Sequence, residues 1–155
     1  MEKRIDGAAE MQGVAVEFAA ALSAPATGAC VVALSGELGA GKTTFAQALA
    51  RALGVEETVN SPTFVIEKIY PVKPIGHGAG ALQNQKWQRF IHIDAYRLKH
   101  ADELRALGWD ELAADANNLI LIEWPEHVSG AIPESATRIA IEIGEGEERT
   151  ITIEL

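Results

Sequence analysis

The run Gly36-Glu37-Leu38-Gly39-Ala40-Gly41-Lys42-Thr43 holds the residue types that cradle a phosphate, at the spacing G-x-x-x-x-G-K-[ST] and without a mismatch. Glycines let successive backbone N–H groups turn toward one point. A helix that starts there adds the partial positive charge of its N-terminus, about half a unit. At this spacing Lys42 reaches the β- and γ-phosphates of a nucleotide and the Thr43 hydroxyl ligates Mg²⁺. The alternative is a chance glycine turn. The flanks argue against it: Cys30-Val31-Val32-Ala33-Leu34 is an apolar run before the loop, and Phe45, Leu49, Ala52 and Leu53 follow at helical spacing.

A Mg–nucleotide site also needs carboxylates near the loop, on the metal or on its waters. In an open parallel sheet these project from the carboxyl ends of the strands. Glu123 follows Leu119-Ile120-Leu121-Ile122, a position like that of a Walker B acid, with Glu where Asp is commoner. Asp94 follows Phe90-Ile91-His92-Ile93 in the same way. A helix cap or a solvated strand end is the other reading of each. Lys42, Asp94 and Glu123 are therefore the candidate catalytic groups. Trp124 either packs in the core or lies beside the nucleotide. His92 reads as a hydrogen-bonded structural residue rather than a base, and Cys30 as an inert residue in a buried strand.

These groups work together only if the elements deliver them to one place. Met11, Val14, Phe18 and Leu22 form a helical stripe over residues 6–22, with Asp6 as its expected N-cap. The runs 30–34 and 119–122 lack polar alternation, which suits strands buried on both faces of a parallel sheet. A strand over 87–93 delivers Asp94, and residues 63–70 read as extended. Segments 101–107 and 109–114 read as two short helices separated by Gly108. Residues 71–85, with Pro71, Pro74, Gly76, Gly78 and Gly80, read as a surface loop. Ile139, Ile141 and Ile143, then Ile151, Ile153 and Leu155, alternate across Gly144–Gly146 as a hairpin. The expected architecture is α/β: a three-layer P-loop NTPase fold in one domain over 1–155, mostly parallel, with an antiparallel C-terminal hairpin.

Composition narrows the function further. The chain has 155 residues, 48% of them apolar, enough for a core without disulfides. Thirteen basic against 22 acidic residues leave a net charge of −9, which speaks against a surface that itself wraps nucleic acid. One cysteine excludes an internal disulfide. No apolar run is long enough to span a membrane, and Met1 to Asp6 lacks the layout of a signal peptide, so a cytoplasmic location is expected. No Asn-Lys-x-Asp base-reading segment and no separate Leu-Ser-Gly-Gly-type signature is present. Nucleotide kinases present several arginines to the acceptor, and this chain has only seven in all, which weakens that reading. A small phosphotransferase and a non-hydrolysing nucleotide switch stand as alternatives to an ATPase.

Several segments together resemble one family. Gly36 to Thr44, Ser61-Pro62-Thr63-Phe64, His92-Ile93-Asp94-Ala95-Tyr96-Arg97-Leu98, Glu103-Leu104 with Leu107-Gly108, and Glu123-Trp124-Pro125-Glu126 stand in the order of the bacterial TsaE (YjeE) ATPases. The resemblance covers essentially the whole chain, although residues 71–89 look longer than the usual connection. It implies ATP and Mg²⁺ as cofactors, with Leu38, Gly39, Ala40, Gly41, Lys42, Thr43 and Thr44 around the phosphates. It implies that Thr43 and Glu123 hold the metal, that Asp94 is needed for hydrolysis, and that Thr63 acts as a switch residue. It places the stretch from Asp6 to Ala9 at the adenine pocket. It further implies a protein that drives cycling of the partners TsaB and TsaD in forming threonylcarbamoyladenosine, meeting tRNA only through them; alone, the protein is expected to be a monomer.

Overall fold

A computed structural model describes residues 1–60, 66–73 and 86–154. Its core is a stack of short apolar strands, and their order explains the rest of the molecule. Strand β2 (Cys30–Gly36) lies at the centre, flanked in parallel by β5 (Asn118–Glu123) and β6 (Thr137–Ile143). Strand β4 (Arg89–Asp94) pairs in parallel with β5 on its far side. The described residues form a seven-stranded sheet, completed by β7 (Glu148–Glu154), β1 (Glu2–Asp6) and β3 (Glu67–Pro71) in the order β1-β7-β6-β2-β5-β4-β3. The parallel core and the antiparallel β6–β7 hairpin are as expected. The antiparallel share extends further, because β1 pairs with β7 and β3 with β4 at the two edges.

Alternating side chains of the core strands feed two separate apolar cores. Cys30, Val32 and Leu34 join Leu119 and Leu121 against α1 (Ala8–Ala21) and α2 (Lys42–Leu53). Val31, Ala33, Ile120 and Ile122 face the other way, toward α3 (Ala101–Ala106), α4 (Trp109–Ala114) and the 3₁₀ segment Pro125–Ala131. Helices on both faces account for the lack of polar alternation in β2 and β5. Burial on this scale pushes the Cys30 thiol up to about 11, a shift only softened by the charge of Lys86.

Two features differ from the sequence expectation. Asp6 is not a helix cap: it ends β1, and Gly7 holds the N-cap position with φ 83°. Five residues carry little periodicity of their own, and β1 exists because β7 offers a partner edge, with Lys3 opposite Ile151. Glu10 then serves the turn by accepting from the Asp6 N–H at 2.8 Å. The 3₁₀ segment after Glu123 is the other addition, opened by Pro125 at its first turn. Thr63 and Leu155 lie outside the described residues, as does most of the long 71–85 connection.

The layer nearest the glycine loop is held by aromatic packing between its two helices. Phe18 and Phe45 are buried with ring centroids 5.8 Å apart. Phe45→Ala should cost about 3–5 kcal/mol of stability, as expected for truncating a fully buried ring. Urea denaturation followed by circular dichroism measures it, and a loss within experimental error would mean that α2 does not depend on this contact.

Candidate functional site

The glycine loop leaves β2 and enters α2 at the carboxyl edge of the sheet. Its shape requires glycine at two points. A Cβ on Gly36 would stand 2.6 Å from the Ile141 carbonyl oxygen, so only glycine lets the loop leave β2 beside β6. Gly41 caps α2 with φ 102°, a conformation other residues rarely take. No side chain caps this helix start, so the orphan N–H groups of its first turn stay available to a ligand.

Parallel pairing brings the two acids to the same edge. Asp94 and Glu123 are register partners at the ends of β4 and β5, and β2 is the next strand over. A cleft of about 350 Å³ results, walled by Leu38, Gly39, Gly41, Lys42, Thr43 and Thr44 on the loop side. Asp94, Tyr96, Glu123 and Trp124 face them. The structure therefore collects around one cleft every described residue of the expected phosphate, metal and catalytic set except Ala40. The Ala40 methyl turns into the core, and its N–H is spent on the Glu37 carbonyl at 3.1 Å. The stretch from Asp6 to Ala9 does not wall the cleft. Met11, one turn further along α1, lies against the loop, its Cε 3.2 Å from where a Gly41 Cβ would sit.

The charges in the cleft are nearly dry. Lys42 is 5% exposed, Asp94 5% and Glu123 2%. Lys42 Nζ donates to the carbonyls of Gly36 (2.7 Å) and Glu37 (2.9 Å) and lies 4.2 Å over the Trp124 ring. Burial lowers its pKa from the ordinary 10.5, while the carboxylates of Glu123, Asp94 and Glu126 pull it back up. Asp94 Oδ1 accepts from the Tyr96 N–H at 2.9 Å. Glu123 Oε1 lies 2.8 Å from His92 Nε2, a fully buried contact.

Tyr96, His127 and Arg149, three residues outside the sequence-derived site, shape its rim together with Trp124. Trp124, with φ 57°, is held in the left-handed region, which costs a non-glycine residue about 1–2 kcal/mol. That turn swings its ring over Lys42 and into a group with Tyr96 (5.1 Å) and His127 (5.5 Å). His127 Nδ1 in turn meets the carbonyls of Ala95 and Tyr96. Arg149, from β7, donates through Nε to the Ala40 carbonyl (3.2 Å) and through Nη1 to those of Gly146 and Glu148. It thereby ties the hairpin turn to the loop. Tyr96 was legible within the His92–Leu98 element. His127 and Arg149 gave no sequence signal, since only the fold brings them near the loop.

An open parallel core whose central strand runs through a glycine loop into a helix is the fold of the P-loop NTPase class, and this chain has it. The family model described as "Threonylcarbamoyl adenosine biosynthesis protein TsaE" matches residues 5–151. The tRNA threonylcarbamoyladenosine biosynthesis protein TsaE of Streptomyces coelicolor is 38% identical over 118 residues, covering 76% of this chain and 71% of that protein. The protein of the same name from Bacillus subtilis is 36% identical over 122 residues, covering 79% and 67%. The crystal structure of Bacillus subtilis YdiB superposes with a TM-score of 0.70 at 28% identity, covering 99% of this chain and 83% of that one. The chain belongs to the TsaE family.

The lowered Lys42 pKa has a consequence for stability. Between that value and 10.5 the folded protein holds fewer protons than the unfolded chain, so this group makes stability rise with pH in that window. Lys42→Ala removes the titrating group and should flatten that part of the rise. Urea midpoints of both proteins across the alkaline range test this, and parallel curves would contradict it.

Proposed function

We propose that this protein is a Mg-ATPase of tRNA threonylcarbamoyladenosine biosynthesis that works on the TsaB–TsaD pair. The observation that carries the proposal is the convergence of Lys42, Thr43, Asp94 and Glu123 on one cleft at the start of α2. Family membership supports the process. The cleft supports the chemistry.

The donors fit the metal. Thr43 offers a hydroxyl and Glu123 a carboxylate, hard oxygens of the kind Mg²⁺ prefers alongside phosphate oxygens and water. Among the described residues no three His, Cys, Asp or Glu side chains gather into a metal-holding group. One or two protein oxygens beside the nucleotide are the usual Mg²⁺ arrangement. When bound, Mg²⁺ neutralises charge on the β- and γ-phosphate oxygens.

The chain's own residues do the rest. The first-turn N–H groups of α2 bind the phosphates. Lys42 gives up two carbonyl partners and the Trp124 face to meet charge developing on the transferred phosphoryl group. Asp94, at the end of the neighbouring strand, orients the attacking water. Trp124 and Tyr96 form an aromatic wall that excludes bulk solvent from that side.

Glu123→Ala and Asp94→Ala should therefore differ in kind. Loss of Glu123 should raise the Mg²⁺ concentration needed for nucleotide binding. Loss of Asp94 should leave binding nearly intact and lower turnover, as for an interaction made in the transition state. Mg²⁺ titrations of fluorescent-nucleotide binding and of phosphate release separate the two, and identical curves would refute this division.

Turnover should be low for the protein alone and rise several-fold with TsaB and TsaD. The chain offers few charges of its own to a transition state, and such sites are often completed by a partner surface. Phosphate release with and without the pair measures it. Full-speed hydrolysis that partners leave unchanged would point to a self-sufficient enzyme, and turnover only with an acceptor alcohol to a phosphotransferase.

A further inference from the structure

We propose that His92 is a positioning residue for Glu123. The ring holds one carboxylate oxygen by its Nε2–H and leaves the other to the cleft. The inference rests on the nucleotide reading above for its consequence, but not for the contact itself.

In β4, His92 and Asp94 lie two residues apart and so project from the same face of the sheet. Asp94 is the register partner of Glu123 and His92 of Leu121, so His92 sits one step behind the acids, under the floor of the cleft. The ring is 0% exposed, between Phe90 (ring centroids 6.3 Å apart) and the Glu123 carboxylate. A buried polar ring in this layer is costly unless it is bonded. Its Nε2 meets Glu123 Oε1 at 2.8 Å, while Nδ1 is buried with no partner among the described residues.

That asymmetry selects the tautomer. An Nδ1–H form would bury an unsatisfied donor and aim the Nε2 lone pair at a carboxylate oxygen, two penalties at once. The Nε2–H form leaves only an unpartnered acceptor and gives Glu123 a hydrogen bond. With Oε1 held from beneath, Glu123 cannot rotate freely and offers a single oxygen toward the loop. Outer partners of this kind orient the groups that bind metal. The sequence reading of His92 as structural is thus correct about its burial but incomplete about what it holds.

The test combines a spectrum with a titration. Long-range ¹H–¹⁵N spectra of the protein without nucleotide should show one histidine protonated at Nε2 and not at Nδ1, and His92→Gln should remove that signal. His92→Leu should raise the Mg²⁺ concentration for half-maximal nucleotide binding by about 10-fold. Affinity at saturating Mg²⁺ should change little. His92→Gln, whose amide N–H reaches to the depth of Nε2, should recover most of the loss, whereas His92→Asn, too short to reach, should not. If the leucine variant fails to fold, as judged by circular dichroism, the glutamine and asparagine pair carries the comparison. A ring protonated at Nδ1, or Gln and Asn variants with the same Mg²⁺ requirement, overturns the proposal. Wild-type protein that shows the Nε2–H signal but binds no Mg-nucleotide would uphold the contact and sink the nucleotide reading instead.

Discussion

The parallel pairing of β2, β5 and β4 is the constraint from which the site follows. Parallel strands all end at one edge, so a loop leaving β2 and acids ending β4 and β5 must meet there. The register makes the meeting specific, with Asp94 opposite Glu123 and Leu34 opposite Glu123 across the other pair. A shift of one residue in either ladder would turn an acid into the opposite core, among Ile120, Ile122 and Trp109. The polar groups guard that register, because a slip would carry His92, Asp94 or Glu123 away from their partners into an apolar layer.

Placing charge at the end of buried strands has a cost, and the surrounding groups offset it. Lys42, Asp94 and Glu123 are almost fully removed from solvent. Each is compensated by a different kind of partner: two loop carbonyls and an aromatic face for Lys42, a backbone N–H for Asp94, and an imidazole for Glu123. For Lys42 desolvation outweighs the pull of three carboxylates, so its pKa stays below the ordinary value. Among the described residues its ammonium is held by two backbone oxygens and an aromatic face rather than by a close carboxylate.

The antiparallel edges serve the site at a distance. Strand β7 carries Arg149, whose guanidinium spans the hairpin turn and the Ala40 carbonyl. Strand β1 closes the outer edge against β7 and sets where α1 starts, so that Met11 reaches Gly41. Additions that look peripheral in the topology thus brace the loop from behind.

How much of this the residues announce depends on whether the signal is local. The glycine loop, the strand before it, the helix after it and the acids behind two apolar runs are all set by neighbours in the chain, through steric freedom, periodicity and burial. Those parts were readable from sequence: Gly36 to Thr44, Phe45 and Leu49 on α2, Asp94, Glu123, and the β6–β7 hairpin. Strand β1 was not, because five residues have no strand character until β7 supplies hydrogen bonds, and Asp6 looks like a cap in isolation. The conformation of Trp124, the bracing of the loop by Arg149 and the His92–Glu123 contact were also decided only by tertiary structure. Each joins groups far apart in the chain, 31 residues for His92 and Glu123 and 109 for Arg149 and Ala40. Sequence determined which chemical groups end each strand; the register of parallel strands, a property of pairs and not of any one segment, decided which of them touch.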